Sequence, residues 1–95
     1  MKRNARRFRE RLKEDLKDPE FRRAFEDEEF YASLAIQISR MREKEHLTQR
    51  ELARKLHTTQ QTISRLENVH NASYALSTLL KLARVFHKQL RIEFV

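Results

Sequence analysis

The side chains best suited to reading a surface by hydrogen bonds stand close together: Thr59-Gln60-Gln61-Thr62, then Ser64 and Arg65 about one turn on. A glutamine amide carries a donor and an acceptor side by side and pairs bidentately with an adenine edge, while an arginine fork pairs with guanine. Each good pair of that kind discriminates against the wrong base by ~1–3 kcal/mol. Other chemistries find less material. Cysteine is absent, which excludes disulfides, thiolate zinc sites and thiol nucleophiles. Glycine is absent too, so no Gly-rich loop cradles a phosphate. His46, His57, His70 and His87 are scattered, and no two have the i, i+4 spacing of a metal site on one helix. Turn and cap roles suit them better, and no metal or cofactor is expected. Small basic proteins can be ribonucleases that use His, Arg and Glu as acid–base groups. This chain has neither the mixed sheet nor the glycines that help shape such a cleft. It is not expected to be an enzyme, and no residue is assigned a catalytic role.

The elements that position these residues follow from caps and periodicity. Thr48 stands before Gln49-Arg50-Glu51 as an N-cap, and Glu51 three residues on completes a capping box. Leu52, Ala53 and Leu56 are the apolar positions of that helix. The pattern breaks at His57-Thr58, and Thr58 or Thr59 caps a second short helix with Ile63 and Leu66 inward. Asn68 to Ser73 is polar loop. Ala75 to His87 is helical again, with Leu76, Leu79, Leu80, Ala83 and Phe86 as its stripe. From Leu90 the tail alternates apolar and charged through Ile92 and Phe94, the period of a strand.

Upstream, Asp18-Pro19-Glu20 is a helix start: Asp18 accepts from orphan amides and Pro19 suits the first helical position. No breaker follows before Glu45. Phe21 and Phe25 share one face; Phe30, Leu34, Ile38 and Met41 share another. One straight helix cannot bury both sets in one core. Either the chain bends near Glu28 or the first pair faces another molecule. Residues 1–18 carry only the thin stripe Phe8, Leu12, Leu16. Short isolated helices are marginal in water, so the default expectation there is a frayed arm.

Charge is uneven. The net +7 divides into +4 over residues 1–18, −3 over 19–31 and +6 over 32–95. Such a balance favours a polyanionic partner. No apolar run approaches the ~18 residues of a membrane span, and no apolar stretch follows the basic start as in a secretory signal. A soluble cytoplasmic protein without a membrane partner is the expectation.

Three short helices with a tight connection between the second and third describe a helix-turn-helix. Residues 32–87 resemble the phage-repressor/Cro-type (XRE-like) DNA-binding domain. The resemblance rests on Leu47-Thr48-Gln49-x-Glu51-Leu52-Ala53, on Leu56, on Thr59-Gln60-Gln61-Thr62-Ile63-Ser64-Arg65-Leu66-Glu67-Asn68, and on Arg42 five residues before Leu47. It implies that the second helix of the pair enters the major groove of double-stranded operator DNA, with Thr59, Gln60, Gln61, Ser64 and Arg65 reading bases. Thr48, Gln49 and Asn68 would contact the backbone; Asn68 also fits a helix C-cap. The resemblance further implies a structural ion pair between Arg42 and Glu67. Three positions depart from the pattern: His46, His57 and Val69 stand where glycine is frequent, the first two at places that favour a left-handed backbone.

The ends suggest partners. A lone strand leaves an open edge, and two recognition helices one helical turn apart, ~34 Å, would read a palindrome. A homodimer is therefore expected through Phe86, Leu90, Ile92 and Phe94, against the simpler possibility that the strand folds back on its own domain. The acidic run Glu26-Asp27-Glu28-Glu29 would be repelled by phosphate but suits a basic protein. DPEFRRAFEDEE before an XRE-like domain resembles HigA-type antitoxins, whose partner is a basic RelE/HigB-like ribonuclease toxin. That resemblance implies toxin binding by Phe21, Phe25, Glu26, Asp27, Glu28 and Glu29. The alternative is a stand-alone dimeric repressor. The basic residues before Asp18 fit either a phosphate-tracking arm or part of the toxin-binding segment. The fold expected is thus all-α: a repressor-like helix-turn-helix bundle over 32–87, an N-terminal helical extension over 1–31 and a short C-terminal β-strand over 88–95.

Overall fold

The computed structural model describes residues 2–95, with side chains from Ala5 onward. Among the described residues there are five α-helices: α1 (Lys2–Asp15), α2 (Pro19–Lys44), α3 (Gln49–Lys55), α4 (Gln60–Leu66) and α5 (Leu76–Val85). They divide between two compact units, one closing at Phe30 and the other spanning Tyr31–Val95, and α2 contributes to both.

In the first unit no described side chain is fully buried. Its N-terminal stretch is nevertheless helical where a frayed arm is the sequence expectation. Arg, Lys, Glu and Leu lose little rotamer freedom in a helix, and no proline or glycine interrupts them. Leu12 and Leu16 are half-buried while Phe8 is exposed. Asp18 caps α2: its Oδ1 accepts from the Glu20 amide at 3.0 Å and its carbonyl from the Arg22 amide at 2.9 Å. Phe21 and Phe25, one turn apart, stack with ring centroids 6.4 Å apart. Phe30, expected to join Leu34, Ile38 and Met41, is instead 64% exposed. It belongs to the unit that holds no core.

The second unit is built around Ile38, Leu52, Ala53, Ile63, Leu66, Leu82 and Phe86, with Met41, Leu47, Leu56, Tyr74, Leu79 and Val85 packed against them. Two expectations change here. On α5 Leu82 is buried and Leu79 partly buried, Phe86 is buried at the C-cap, and Leu76 and Leu80 face solvent. The apolar face of this helix is wider than the core can cover, and what packs across it decides which part is buried. Phe86 is therefore a core residue, 3% exposed, and has no surface to offer a second copy.

The C-terminal strand is not present. Residues 86–95 hold no regular secondary structure beyond the turn that closes α5. A strand is defined by its hydrogen-bonded neighbour, and no other strand exists among the described residues. Leu90 is half-buried, whereas Ile92 and Phe94 are exposed.

Three helix ends share one device. α2, α3 and α5 each finish in a residue with positive φ, and each time it is histidine: His46 (φ 57°), His57 (φ 55°) and His87 (φ 52°). In all three the next amide reaches back to the carbonyl five residues earlier: Leu47 to Arg42 at 3.1 Å, Thr58 to Ala53 at 2.9 Å, Lys88 to Ala83 at 2.8 Å. The histidine amides bond Glu43, Arg54 and Arg84 respectively. These are Schellman caps, a motif that ordinarily uses glycine. In a chain without glycine, histidine takes the left-handed position, which it enters more readily than most residues. The departures at His46 and His57 thus leave the backbone path intact. Val69 needs no left-handed conformation. Its loop is held by Asn68 and Asn71, which bond the His70 amide at 2.9 Å and the Ser73 carbonyl at 3.0 Å.

Candidate nucleic-acid interface

The α3–α4 pair is set by two caps and a turn. Thr48 caps α3: its hydroxyl accepts from the Glu51 amide at 3.0 Å while Glu51 Oε1 accepts from the Thr48 amide at 3.0 Å. That second bond, with the Thr48 hydroxyl behind it, holds the Glu51 carboxyl below its ordinary range. Thr59, rather than Thr58, caps α4: its Oγ1 accepts from the Thr62 amide at 3.1 Å and lies 3.0 Å from the Thr62 hydroxyl. Between the caps runs the His57 turn, and α3 and α4 pack directly on one another.

The orientation of α4 follows from its two apolar residues. Ile63 and Leu66 are buried. Their burial fixes the rotation of the helix and leaves Gln60, Gln61, Ser64 and Arg65 exposed, with Thr59 exposed ahead of them. A row of amide, hydroxyl and guanidinium groups at the start and along one side of a short helix is what base-edge hydrogen bonding requires. The Thr59 hydroxyl, however, is committed to the cap.

Arg42 and Glu67 form the ion pair behind α4. Arg42 Nε and Nη2 donate to Glu67 Oε2 and Oε1 at 2.7 and 2.9 Å, and Nη1 donates to the Leu47 carbonyl at 2.8 Å. Their side chains are 14% and 5% exposed. The hydrogen bonds to Glu67 raise the Arg42 pKa further, against the opposing effect of burial. One guanidinium so ties the end of α2, the entry to α3 and the end of α4. Gln49 joins the same network, its Nε2 donating to Glu67 Oε1 at 3.3 Å. A residue named from sequence for the DNA backbone is thereby also a strut. Asn68, placed likewise, has its side-chain oxygen engaged with the following loop.

Tyr74 is a further support of α4. Its hydroxyl donates to the Leu66 carbonyl at 2.8 Å, closing the end of α4, and its ring stacks on Tyr31 with centroids 6.2 Å apart. A tyrosine eight residues past the last apolar position of α4 carries no local signal; only the folded path brings it back.

Among the described residues, no group of three His, Asp or Glu could hold a metal ion, and no helix is long and apolar enough to cross a membrane. The two capped helices, the ion pair and the exposed polar row define a helix-turn-helix module. The profile of the helix-turn-helix family matches residues 38–92. That is more than half of the chain, which therefore belongs to this family in its Cro/XRE-type branch, a family of DNA-binding transcription regulators. Comparison with curated proteins and with solved structures gave no match.

Proposed function

We propose that this chain is a non-catalytic antitoxin that binds operator DNA as a homodimer, represses its own operon and neutralises a basic ribonuclease toxin by direct contact. The observation that carries the DNA half is the α4 surface: Gln60, Gln61 and Arg65 stand exposed over a core that fixes their helix. Phosphate contacts at the start of α3 and at Asn68 would supply affinity, and base contacts specificity. Two copies are needed to read a palindrome. With Phe86 in the core, the dimer contact falls to Leu90, Ile92 and Phe94; the exposure of Ile92 and Phe94 supports it.

The toxin half rests on Phe21, Phe25 and the run Glu26–Glu29, all of whose carboxylates are exposed. Stacked aromatics beside four acids suit a basic protein surface: the rings anchor and the charges select. A stand-alone repressor lacks a use for this segment.

Two experiments test the halves separately. Arg65→Ala should relax base preference, whereas Gln49→Ala should weaken operator and random duplex alike; equal losses from both would remove α4 from the reading role. For the partner, the tagged protein is recovered from its native cells at high salt, which strips nucleic-acid bridges. A small basic protein in near-stoichiometric amount is the expected result. Recovery of the chain alone reduces the reading to a plain dimeric repressor.

A further inference from the structure

Acids are scarce where the module is basic. Between Thr48 and Leu90 the sequence holds only Glu51 and Glu67. Both are already used, one in the α3 capping box and one on Arg42. Among the described residues no ion pair joins Lys55, Lys81 or Arg84 to a carboxylate; Lys55 feels Glu51 only through a weaker coulombic attraction along α3. These three cations, with Leu56, His57 and Val85, line a groove of about 300 Å³ between the end of α3 and the second half of α5. Lys81 also lines the adjoining cavity of about 160 Å³, whose walls include Thr58, Thr62 and Thr78. The cationic strip thus begins beside the first turn of α4 and continues to Arg84.

We propose that Lys55, Lys81 and Arg84 form a second phosphate-binding strip, one that grips the DNA backbone bordering the groove α4 enters. This rests on the DNA-binding reading above and extends it to residues outside the reading helix. The major groove is only ~12 Å wide between its phosphate walls, so side chains flanking the start of an inserted helix meet one wall. Unpaired lysine and arginine there release counterions when they do. The apolar stems and the Leu56–Val85 floor lie against the sugar edge of that strand. The strip reads no sequence and sets how far α4 seats in the groove.

The test uses the full chain and a duplex about three helical turns long, enriched by the wild-type protein from a random pool, with a scrambled duplex beside it. Affinity is measured across a salt series for wild type, K55Q/K81Q/R84Q and the charge-keeping K55R/K81R/R84K; thermal melts check that each variant folds. The expected result is a drop in the slope of log affinity against log salt of about 0.9 per lost phosphate contact, so between about two and three for the neutral variant. The loss should be the same on both duplexes, and the charge-keeping variant should retain the slope. An unchanged slope in the neutral variant overturns the strip while leaving the α4 reading standing. If, in addition, wild type but not that variant is held by polyglutamate, the groove belongs to an acidic polypeptide. If wild type enriches no duplex and binds none, both the strip and the DNA reading fall together.

Discussion

The two units of this chain handle charge in opposite ways. In the unit from Tyr31 onward, the acids around the α3–α4 pair are structural: Glu51 closes a cap and Glu67 clamps Arg42. In the unit ending at Phe30, the four acids of Glu26–Glu29 are exposed, and no described side chain is buried. The first arrangement builds a rigid surface and leaves its cations for an outside anion. The second spends little on its own stability and keeps aromatic and acidic groups at the surface. On the proposed function, the cored unit is the one whose geometry must match a groove, and the exposed mixed groups of the other are those offered to a partner protein.

The contrast is broken most severely at the ion pair. Glu67→Ala strands a nearly buried guanidinium, cutting its link to the end of α4 and the Gln49 contact while leaving its bond to the Leu47 carbonyl. The expected loss is about 3–5 kcal/mol of unfolding free energy, read by urea denaturation, against an expected change near zero for Glu28→Ala in the first unit. Comparable losses at both positions would mean that the acidic run is structural after all.

Next in size is the apolar contrast. Ile63→Ala opens a cavity under α4 and should lower stability by about 2–5 kcal/mol, whereas Phe8→Ala, at an exposed position, should stay within about 0.5 kcal/mol. Equal effects from the two would contradict the division into a cored and an uncored unit.

A smaller change sharpens the picture of the rigid unit. Each histidine in the left-handed region carries an estimated penalty of about 1–2 kcal/mol from its Cβ, and glycine would relieve it at an entropic cost of roughly 0.5–1 kcal/mol. The difference leaves His57→Gly stabilising by up to about 1.5 kcal/mol, read as a rise in Tm of several degrees, while His57→Val should lower Tm. No gain from glycine would show that the His57 side chain contributes contacts that offset its strain.

How much of this was legible in the sequence depends on the range of each interaction. The caps at Asp18, Thr48 and Thr59 are local, and residue type with spacing announces them. The Arg42–Glu67 pair spans 25 residues, and only the family resemblance named it in advance. Leu82 over Leu76 and Leu80, and Tyr74 on the Leu66 carbonyl, were not legible; Phe86 was legible as a stripe position, but not that its burial removes it from a dimer surface. Each depends on what the fold places across from the residue. The missing strand has the same origin: alternation in Leu90, Ile92 and Phe94 states which residues would share a face, but a ladder needs a pairing segment, and none is present among the described residues. His87 repeats the cap of His46 and His57, and the family pattern pointed only to the first two.

The smallest expected effect concerns Glu51, exposed yet coupled to folding through the Thr48 amide. Its carboxyl has a lower pKa folded than unfolded, because the amide of Thr48 donates to the ionised form. A depressed carboxylate contributes stability that is fully present above its unfolded pKa and is lost as pH falls through the folded one. Glu51→Gln keeps an acceptor for the Thr48 amide but removes the titration. The stability difference between wild type and Glu51→Gln should therefore be constant at neutral pH and shrink as the solution is acidified through and below the ordinary carboxylate range. Thr48→Ala should lower stability by about 1 kcal/mol and weaken that pH dependence, because it removes the hydroxyl that holds the box in register. Urea midpoints across a pH series decide the matter. A difference that stays the same at every pH would show that the charge of Glu51 is not coupled to α3, and that the cap holds the helix through its neutral hydrogen bonds alone.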